Sequence, residues 1–308
     1  MIKKQVPLGL FSFMSETNFK SGFVSIIGKP NVGKSTLMNA LVGDNLSIIT
    51  SKAQTTRHRI MGILTGDNFQ IIYSDTPGLL KPQYSLQESM MKFVSASLED
   101  ADLVLYVVDL MEKHDDEEML DRLTASDSKV ILIINKTDLN KGSRLTDKID
   151  YWQLLYPEVE IMTVSALSKE NVDVLFARIL ELLPTHPAYF PQDTLTDKPE
   201  KFFASEIIRE QIFKNYKQEV PYSTEVEIES FKEDEDIIRL RAEIFVERKS
   251  QKGIIIGKGG EAIKKVGTEA RLQLEQFFGK KVFLETFVKV APDWRKKSSL
   301  LKKFGYKG

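Results

Sequence analysis

The sequence predicts an α/β protein in two parts: a mostly parallel sheet with helices on both faces, then a smaller α+β domain. Three observations predict it. Residues 22–183 alternate short β-branched runs with amphipathic segments, the pattern of parallel strands joined by helical crossovers. Residues 184–200, PTHPAYFPQDTLTDKPE, hold four prolines, a stiff linker composition. Beyond them the order changes to helix, two strands, a glycine-rich loop, a long helix and a strand. A length of 308 residues suits two domains of ordinary size.

Taken in order, the strands of the first part are Phe23–Ile27, Gln70–Tyr73, Leu103–Asp109, Lys129–Asn135 and Glu160–Val164. Helical patterns lie between and after them at 34–42, 86–99, 115–125, 144–155 and 171–183. In such sheets the chemistry follows the carboxyl ends of the strands. The second part begins with a helix over 202–217, where Phe203 and Ile207, then Ile208 and Ile212, stand one turn apart. Two alternating strands, Ser223–Phe231 and Asp236–Glu247, flank a charged FKEDED turn. A later helix buries Ile263, Val266, Ala270, Leu274 and Phe277, and Lys281–Val290 is the last strand. The organisation is therefore an N-terminal extension (1–19, with Met14 an alternative start), a first domain (20–184), a linker (185–200) and a second domain with a basic tail (201–308).

Composition excludes several classes. With no cysteine there are no disulfides, thiolate metal sites, iron–sulfur clusters or cysteine nucleophiles. His58, His114 and His186 are far apart and read as surface residues rather than metal ligands. No run approaches the length of a membrane span. The N-terminal Lys3-Lys4 and apolar patch faintly resemble an export signal, but Pro7 and Gly9 interrupt it and no small-residue cleavage site follows. The net charge of −1 hides an asymmetry. Residues 201–308 contain 23 Lys and Arg against 17 Asp and Glu; residues 1–200 contain 20 against 27. An acidic catalytic part joined to a basic binding part fits this split, as does an ordinary solvated basic face.

Four motifs follow strand ends. Gly28-Lys29-Pro30-Asn31-Val32-Gly33-Lys34-Ser35-Thr36 runs from a strand into a helix, the context a P-loop requires. Its backbone N–H groups and the helix N-terminus cradle phosphate. Lys34 neutralises the β- and γ-phosphates, and the Ser35 hydroxyl suits Mg²⁺, which prefers oxygen. Asp75-Thr76-Pro77-Gly78 follows: Asp75 can hold Mg²⁺ through water, and the Gly78 N–H can reach a γ-phosphate. In Asn135-Lys136-Thr137-Asp138, the Asp138 carboxylate can accept both the N1 and N2 donors of guanine, a pair adenine lacks. Lys136 would pack its stem on the base. Ser165-Ala166-Leu167 ends the next strand, with the Ala166 N–H able to reach guanine O6. Four motifs in this order point to GTP; a P-loop ATPase is the weakest rival, against Asn135 and Asp138.

The set is similar to the signature of translation-type GTPases, and its finer details resemble the Era family over about residues 20–306. Pro30–Ser35 match that family's PNVGKS, and Lys52-Ala53-Gln54-Thr55-Thr56-Arg57 match its switch I. The resemblance makes Thr56 a ligand of Mg²⁺ and γ-phosphate, and Lys34, Thr56 and Gly78 the catalytic set. With Asn31 in the P-loop, it also implies a K⁺ ion that helps neutralise the transition state. Leu79 departs from the many GTPases with Gln there to orient water, so intrinsic hydrolysis is expected to be slow or arranged by other groups.

In the second domain, Gly253-Ile254-Ile255-Ile256-Gly257-Lys258-Gly259-Gly260 followed by a helix is the KH pattern: an apolar run, G-x-x-G, then a helix. Helix–strand–strand–helix–helix–strand resembles the type II KH arrangement that follows the GTPase domain in Era. Ile256, Gly257, Lys258, Gly259, Gly260 and Lys264 are the expected RNA-binding residues, with Trp294 and Arg295 from a tail that mixes basic and aromatic residues. A frayed, solvated tail is the plain alternative. The resemblance implies a GTP-hydrolysing switch in the cytoplasm that binds the 3′ end of 16S ribosomal RNA during 30S subunit assembly. Two other classes stay open: an RNA-binding adaptor with little turnover, and a signalling GTPase held peripherally at the inner face of the cell membrane by its basic tail.

Overall fold

The computed structural model describes residues 19–112, 117–125 and 128–306. The N-terminal extension with its Met14 start, and His114, lie outside the described residues. In the first domain the described residues form a six-stranded sheet in the order β2-β3-β1-β4-β5-β6. Its strands are β1 (Lys20–Ile27), β2 (Ile60–Thr65), β3 (Phe69–Asp75), β4 (Leu103–Asp109), β5 (Lys129–Asn135) and β6 (Glu160–Thr163). All neighbours pair in parallel except β2 and β3, which are antiparallel. The chain runs from β1 out to the edge strand β2, returns by β3 beside β1, and then crosses to β4. The P-loop after β1 therefore opens at the point where the winding reverses, the usual ligand position of such sheets.

Strands β4 and β5 were legible because both faces are covered; Leu103–Val107 and Ile131–Ile134 are buried. Strand β2 was not among the expected strands. It is an edge strand whose sequence, IMGILT, lacks clean alternation. The linker covers that edge: the Ile63 N–H donates to Leu195 O (2.8 Å), and the Met61 N–H donates to Asp197 Oδ1 (3.0 Å). Gln70 clamps it further, accepting from Tyr189 and Phe190 N–H and donating to Phe190 O. The proline-rich stretch is thus a strap along the sheet, which also protects an edge open to pairing.

Helices α1 (Lys34–Val42), α2 (Ser85–Glu99), α3 (Glu117–Thr124), α4 (Arg144–Leu155) and α5 (Val172–Leu182) fall within two residues of the expected spans. The second domain is α6 (Glu200–Asn215), β7 (Glu225–Glu233), β8 (Ile237–Val246), α7 (Lys249–Ile256), α8 (Glu261–Phe278) and β9 (Lys281–Val290). Its sheet pairs β7 with β8 antiparallel and β8 with β9 parallel. Ile208, Ile212, Ile244, Val266, Ala270 and Leu274 fill its core.

The tail is not the frayed end that stood as the plain alternative. After β9 it forms α9 (Ser298–Lys303), and Trp294, Leu301 and Tyr306 are buried with Leu86 and Met90 of α2. The Trp294 indole N–H donates to Ser223 O (2.8 Å). His58 is also not the surface residue expected: its ring stacks on Tyr306 at 4.3 Å and contacts Phe93 and Phe202. Burial and the nearby Arg209, Lys198 and Arg57 charges hold it well below the ordinary histidine range, so it is neutral. Trp294→Ala should remove about 3–5 kcal/mol of stability, as truncation of a buried Trp does. Denaturant unfolding checks this; a loss under about 1 kcal/mol would mark the tail as peripheral to the fold.

Candidate functional site

The P-loop joins β1 to α1 in one tight curve. Gly33 has φ 99°, and a Cβ there would stand 2.3 Å from the Asn135 side-chain nitrogen. Only glycine lets this backbone lie so close to the loop after β5. Lys34 is buried, and its Nζ donates to Gly28 O (3.0 Å) and Lys29 O (2.8 Å). Its ammonium is thus parked on P-loop carbonyls where phosphates would take their place. A cavity of about 480 Å³ opens here. The P-loop lines one side of it and residues 48–56 the other, with Gly78 and Lys136 at its margin.

Three oxygens meet at its base. The Ser35 hydroxyl donates to Asp75 Oδ2 (2.6 Å) and lies 2.9 Å from Thr56 Oγ1, which is 3.5 Å from the same carboxylate oxygen. Asp75 is fully buried, and its Oδ1 has no hydrogen-bond partner. A buried carboxylate with one orphaned oxygen beside two hydroxyls is a donor set suited to a small hard cation such as Mg²⁺. Desolvation pushes the Asp75 carboxyl up from its ordinary value, against the pull of the Ser35 hydrogen bond and the Lys34 charge. The same burial pushes Lys34 down to about 8, against the Asp75 charge. Each group needs a counter-charge that it does not fully have.

The second loop cluster is organised by Asn135. Its side-chain N–H donates to Val32 O (2.8 Å), and its Oδ1 accepts the Ala166 N–H (3.0 Å). Asn135 therefore ties the P-loop to the loop after β6 and acts through position. The Ala166 N–H, expected on guanine O6, is already engaged, so any contact with O6 would be shared. Lys136 has φ 66° and its ammonium holds Asp109 Oδ2 (2.7 Å). Asp138 is exposed, and its Oδ1 accepts from the Ser165 hydroxyl (2.5 Å). Asp138, Ser165 and Ala166 stand outside the cavity lining; Leu167 is 79% exposed. Thr137 is buried with its hydroxyl on Glu170, and the Thr76 hydroxyl donates to Ile26 O (2.9 Å). Pro77 is buried beside it. Leu79 donates its N–H to Gly28 O (3.0 Å) and packs with Val94, Tyr106 and Leu110. Its side chain supports the sheet, as expected of a residue that cannot orient water. The lining by Ile48, Ile49, Thr50 and Ser51 was missed; their sequence carries no phosphate signal, and only the path of the loop brings them in.

In the second domain, α7 ends at Gly257, where φ is 72° and a Cβ would come within 2.6 Å of the Ala262 Cβ. Lys258 and Gly259 project as an exposed turn before α8, and Lys264 is exposed one turn into it. Ile256 is half-buried, whereas Ile254, which was not singled out, is 51% exposed. Trp294 and Arg295 are not on this surface. Trp294 is fully buried, and Arg295 pairs with Glu247 and lies over the Tyr84 ring at 5.0 Å. Both join the tail to α2 and β8, which corrects their assignment to RNA.

Comparison with known proteins is consistent over most of the chain. Residues 23–136 match the family described as 50S ribosome-binding GTPase, and residues 219–295 match the KH domain family. GTPase Era of Geobacter metallireducens is 45% identical over 95% of this chain and 100% of its own length. GTPase Era of Thermoanaerobacter pseudethanolicus is 44% identical over 93% of this chain and 96% of its own. A crystal structure of Era with MgGDPNP and nucleotides 1506–1542 of 16S ribosomal RNA has a TM-score of 0.90 and 40% identity. It covers 94% of this chain and all of its own. A variant of Aquifex aeolicus Era bound to GDP and aluminium fluoride has a TM-score of 0.90 and 39% identity, with the same coverage.

A phosphate chain against Lys34 should restore its proton. Free Lys34 titrates near pH 8, and a polyanion raises that value, so between the two values binding takes up a proton. Nucleotide titration by calorimetry at pH 8.5, in buffers of different ionisation enthalpy, should show uptake of about three-quarters of a proton. The uptake should vanish at pH 6.5 and in Lys34→Met.

Proposed function

This chain belongs to the Era family of GTPases, and on that premise we propose that it binds Mg²⁺ and GTP, hydrolyses GTP to GDP, and binds the 3′ end of 16S ribosomal RNA during assembly of the 30S subunit. The observation that carries this reading is one chain with both parts: the Ser35, Thr56 and Asp75 oxygens beneath a P-loop, and an exposed Gly257–Gly260 turn on a KH fold. A ribosomal partner implies a cytoplasmic site of action. No helix among the described residues is long and apolar enough to cross a membrane.

Ser35, Thr56 and Asp75 would hold Mg²⁺, which neutralises the charge developing on the transferred phosphoryl group. Lys34 leaves the carbonyls of Gly28 and Lys29 for the β- and γ-phosphates. The Gly78 N–H meets the γ-phosphate end. Lys29, Pro30, Val32, Gly33 and Thr36 shape the cradle, and Asp138 selects guanine. With Leu79 packed inward, water must be held by backbone groups or by an added cation. Asn31 stands at the cavity with its side-chain nitrogen 3.2 Å from Ser51 O. We assign the Asn31 side-chain oxygen to a K⁺ ion, which would add positive charge where Gln is lacking.

The RNA reading rests on backbone access. At Gly259 and Gly260 no atom stands within 4 Å of where a Cβ would be. A nucleic-acid backbone can therefore approach, with Lys258 and Lys264 for its phosphates and Ile254 and Ile256 as apolar surface for bases. GTP would favour the switch arrangement that goes with one seating of the KH domain, so RNA and nucleotide affinities would change each other by the same factor.

Two outcomes follow. Lys258→Asp, which leaves the glycine turn intact, should abolish crosslinking to the small-subunit RNA 3′ end in cells while GTP binding persists; unchanged crosslinking would remove the KH assignment. Turnover should be several-fold faster in KCl than in NaCl at equal ionic strength, and equal rates would remove K⁺.

A further inference from the structure

One fully buried cation belongs to neither site. Arg57 follows Thr56 directly in the chain, yet its side chain leaves the GTPase domain and enters the second domain. Nη1 donates to Thr224 O (2.8 Å) and Glu225 Oε2 (2.9 Å). Nη2 donates to Tyr222 O (3.0 Å) and Pro221 O (3.3 Å). All four acceptors lie between residues 221 and 225, at the end of a 3₁₀ turn (Pro221–Ser223). The guanidinium sits 5.8 Å from the Phe213 ring centre and 5.7 Å from that of Trp294.

The C-terminal segment closes this socket. The Tyr306 hydroxyl donates to the same Glu225 Oε2 (2.6 Å), and Trp294 holds Ser223 O. Switch I is tied to the second domain at two further points. Lys52 donates to Phe213 O and Tyr216 O, and the Ile49 N–H reaches Glu210 Oε1 (3.3 Å). On the other side, the Leu86 N–H of α2 donates to Arg295 O (3.0 Å).

We propose that Arg57 is a positioning residue for Thr56, and that its socket, built by the KH domain and closed by Trp294 and Tyr306, holds switch I in the Mg²⁺-reaching arrangement before nucleotide arrives. The proposal rests on the reading of Ser35, Thr56 and Asp75 as the Mg²⁺ and γ-phosphate site. Consecutive Cα atoms are about 3.8 Å apart, so Thr56 cannot move far without drawing Arg57 from its socket. Withdrawal would strip buried Glu225 of its hydrogen-bonded cation and leave it only the nearby charge of Arg209, which is unfavourable. A triphosphate gains from a Thr56 already in place, whereas a diphosphate does not reach it. The socket therefore favours GTP over GDP by shifting a pre-existing equilibrium. The tail acts on the nucleotide end of the molecule.

The test titrates GDP and a non-hydrolysable GTP analogue, in Mg²⁺, against the full chain, three single variants and one double variant. Tyr306→Phe keeps the ring on His58 and removes only the hydroxyl on Glu225; Glu225→Gln keeps shape and removes the charge. In both, analogue affinity should fall roughly tenfold, the weight of one hydrogen bond to a charged group, with GDP affinity unchanged. Thr56→Ala should show the same selective loss, and adding Tyr306→Phe to it should cost nothing more. If Thr56→Ala leaves analogue affinity intact, the Mg²⁺-site reading fails and takes the proposal with it. If Thr56→Ala responds but both socket variants bind the analogue like the native chain, the socket proposal alone is overturned. Equal losses for GDP and analogue would mean that the socket only stabilises the fold, and would also overturn it. Thermal unfolding identifies a variant that fails to fold, and the other socket variant then decides.

Discussion

The GTPase half depends on keeping two opposite charges, Asp75 and Lys34, buried and incompletely paired. Desolvation lifts the carboxyl and depresses the ammonium. Neither partner satisfies the other: Lys34 spends its hydrogen bonds on P-loop carbonyls, and one Asp75 oxygen has none. Such an arrangement is unfavourable for folding alone. It becomes favourable when a divalent cation and a polyanion enter together, because each supplies the missing counter-charge. The rest of the domain is read most simply as the scaffold that keeps this pair dry and apart. Strands β1 and β3 run side by side to bring Ser35 and Asp75 into contact, and the Gly33 bend lets Asn135 brace the loop from behind.

That scaffold was legible to the extent that each piece was local. Lys34, Ser35, Asp75 and Asn135 sit next to glycines or strand ends that announce themselves within a few residues. β4 and β5 declared themselves because a strand covered on both faces is apolar throughout. β2 did not, because an edge strand covered by a strap needs neither a long apolar run nor alternation. Its Gly62 is explained by Val42 and Leu46, whose side chains would meet a Cβ at 2.9 and 3.2 Å.

What the sequence hid was everything held by partners far along the chain. Trp294 and Arg295 look like a nucleic-acid arm because aromatics and cations alternate there. Nothing within ten residues shows that Ser223, Glu247 and Tyr84 wait for them. His58 reads as a surface residue until Tyr306 is laid over it. Arg57 reads as the end of a switch motif, and its four acceptors are more than 160 residues away. Charge asymmetry survives the correction in part: the exposed lysines of the KH turn remain, while several tail cations face acidic partners, as Lys303 does Glu227.

These long-range contacts give the two domains a common mechanical point. Switch I leaves the Mg²⁺ oxygens at Thr56 and is anchored one residue later in the other domain. Helix α2, which follows the Asp75–Gly78 loop, is pinned at its Leu86 N–H by Arg295 O in the segment that follows β9. A displacement at either ligand must therefore be absorbed within a very short length of chain or be passed across the interface. Packed, hydrogen-bonded contacts of this kind hold discrete arrangements rather than yielding gradually. The proposed coupling of GTP to RNA would then rest on the inability of Thr56 and Arg57 to move independently, more than on the flexibility of the linker, which is itself bound along β2.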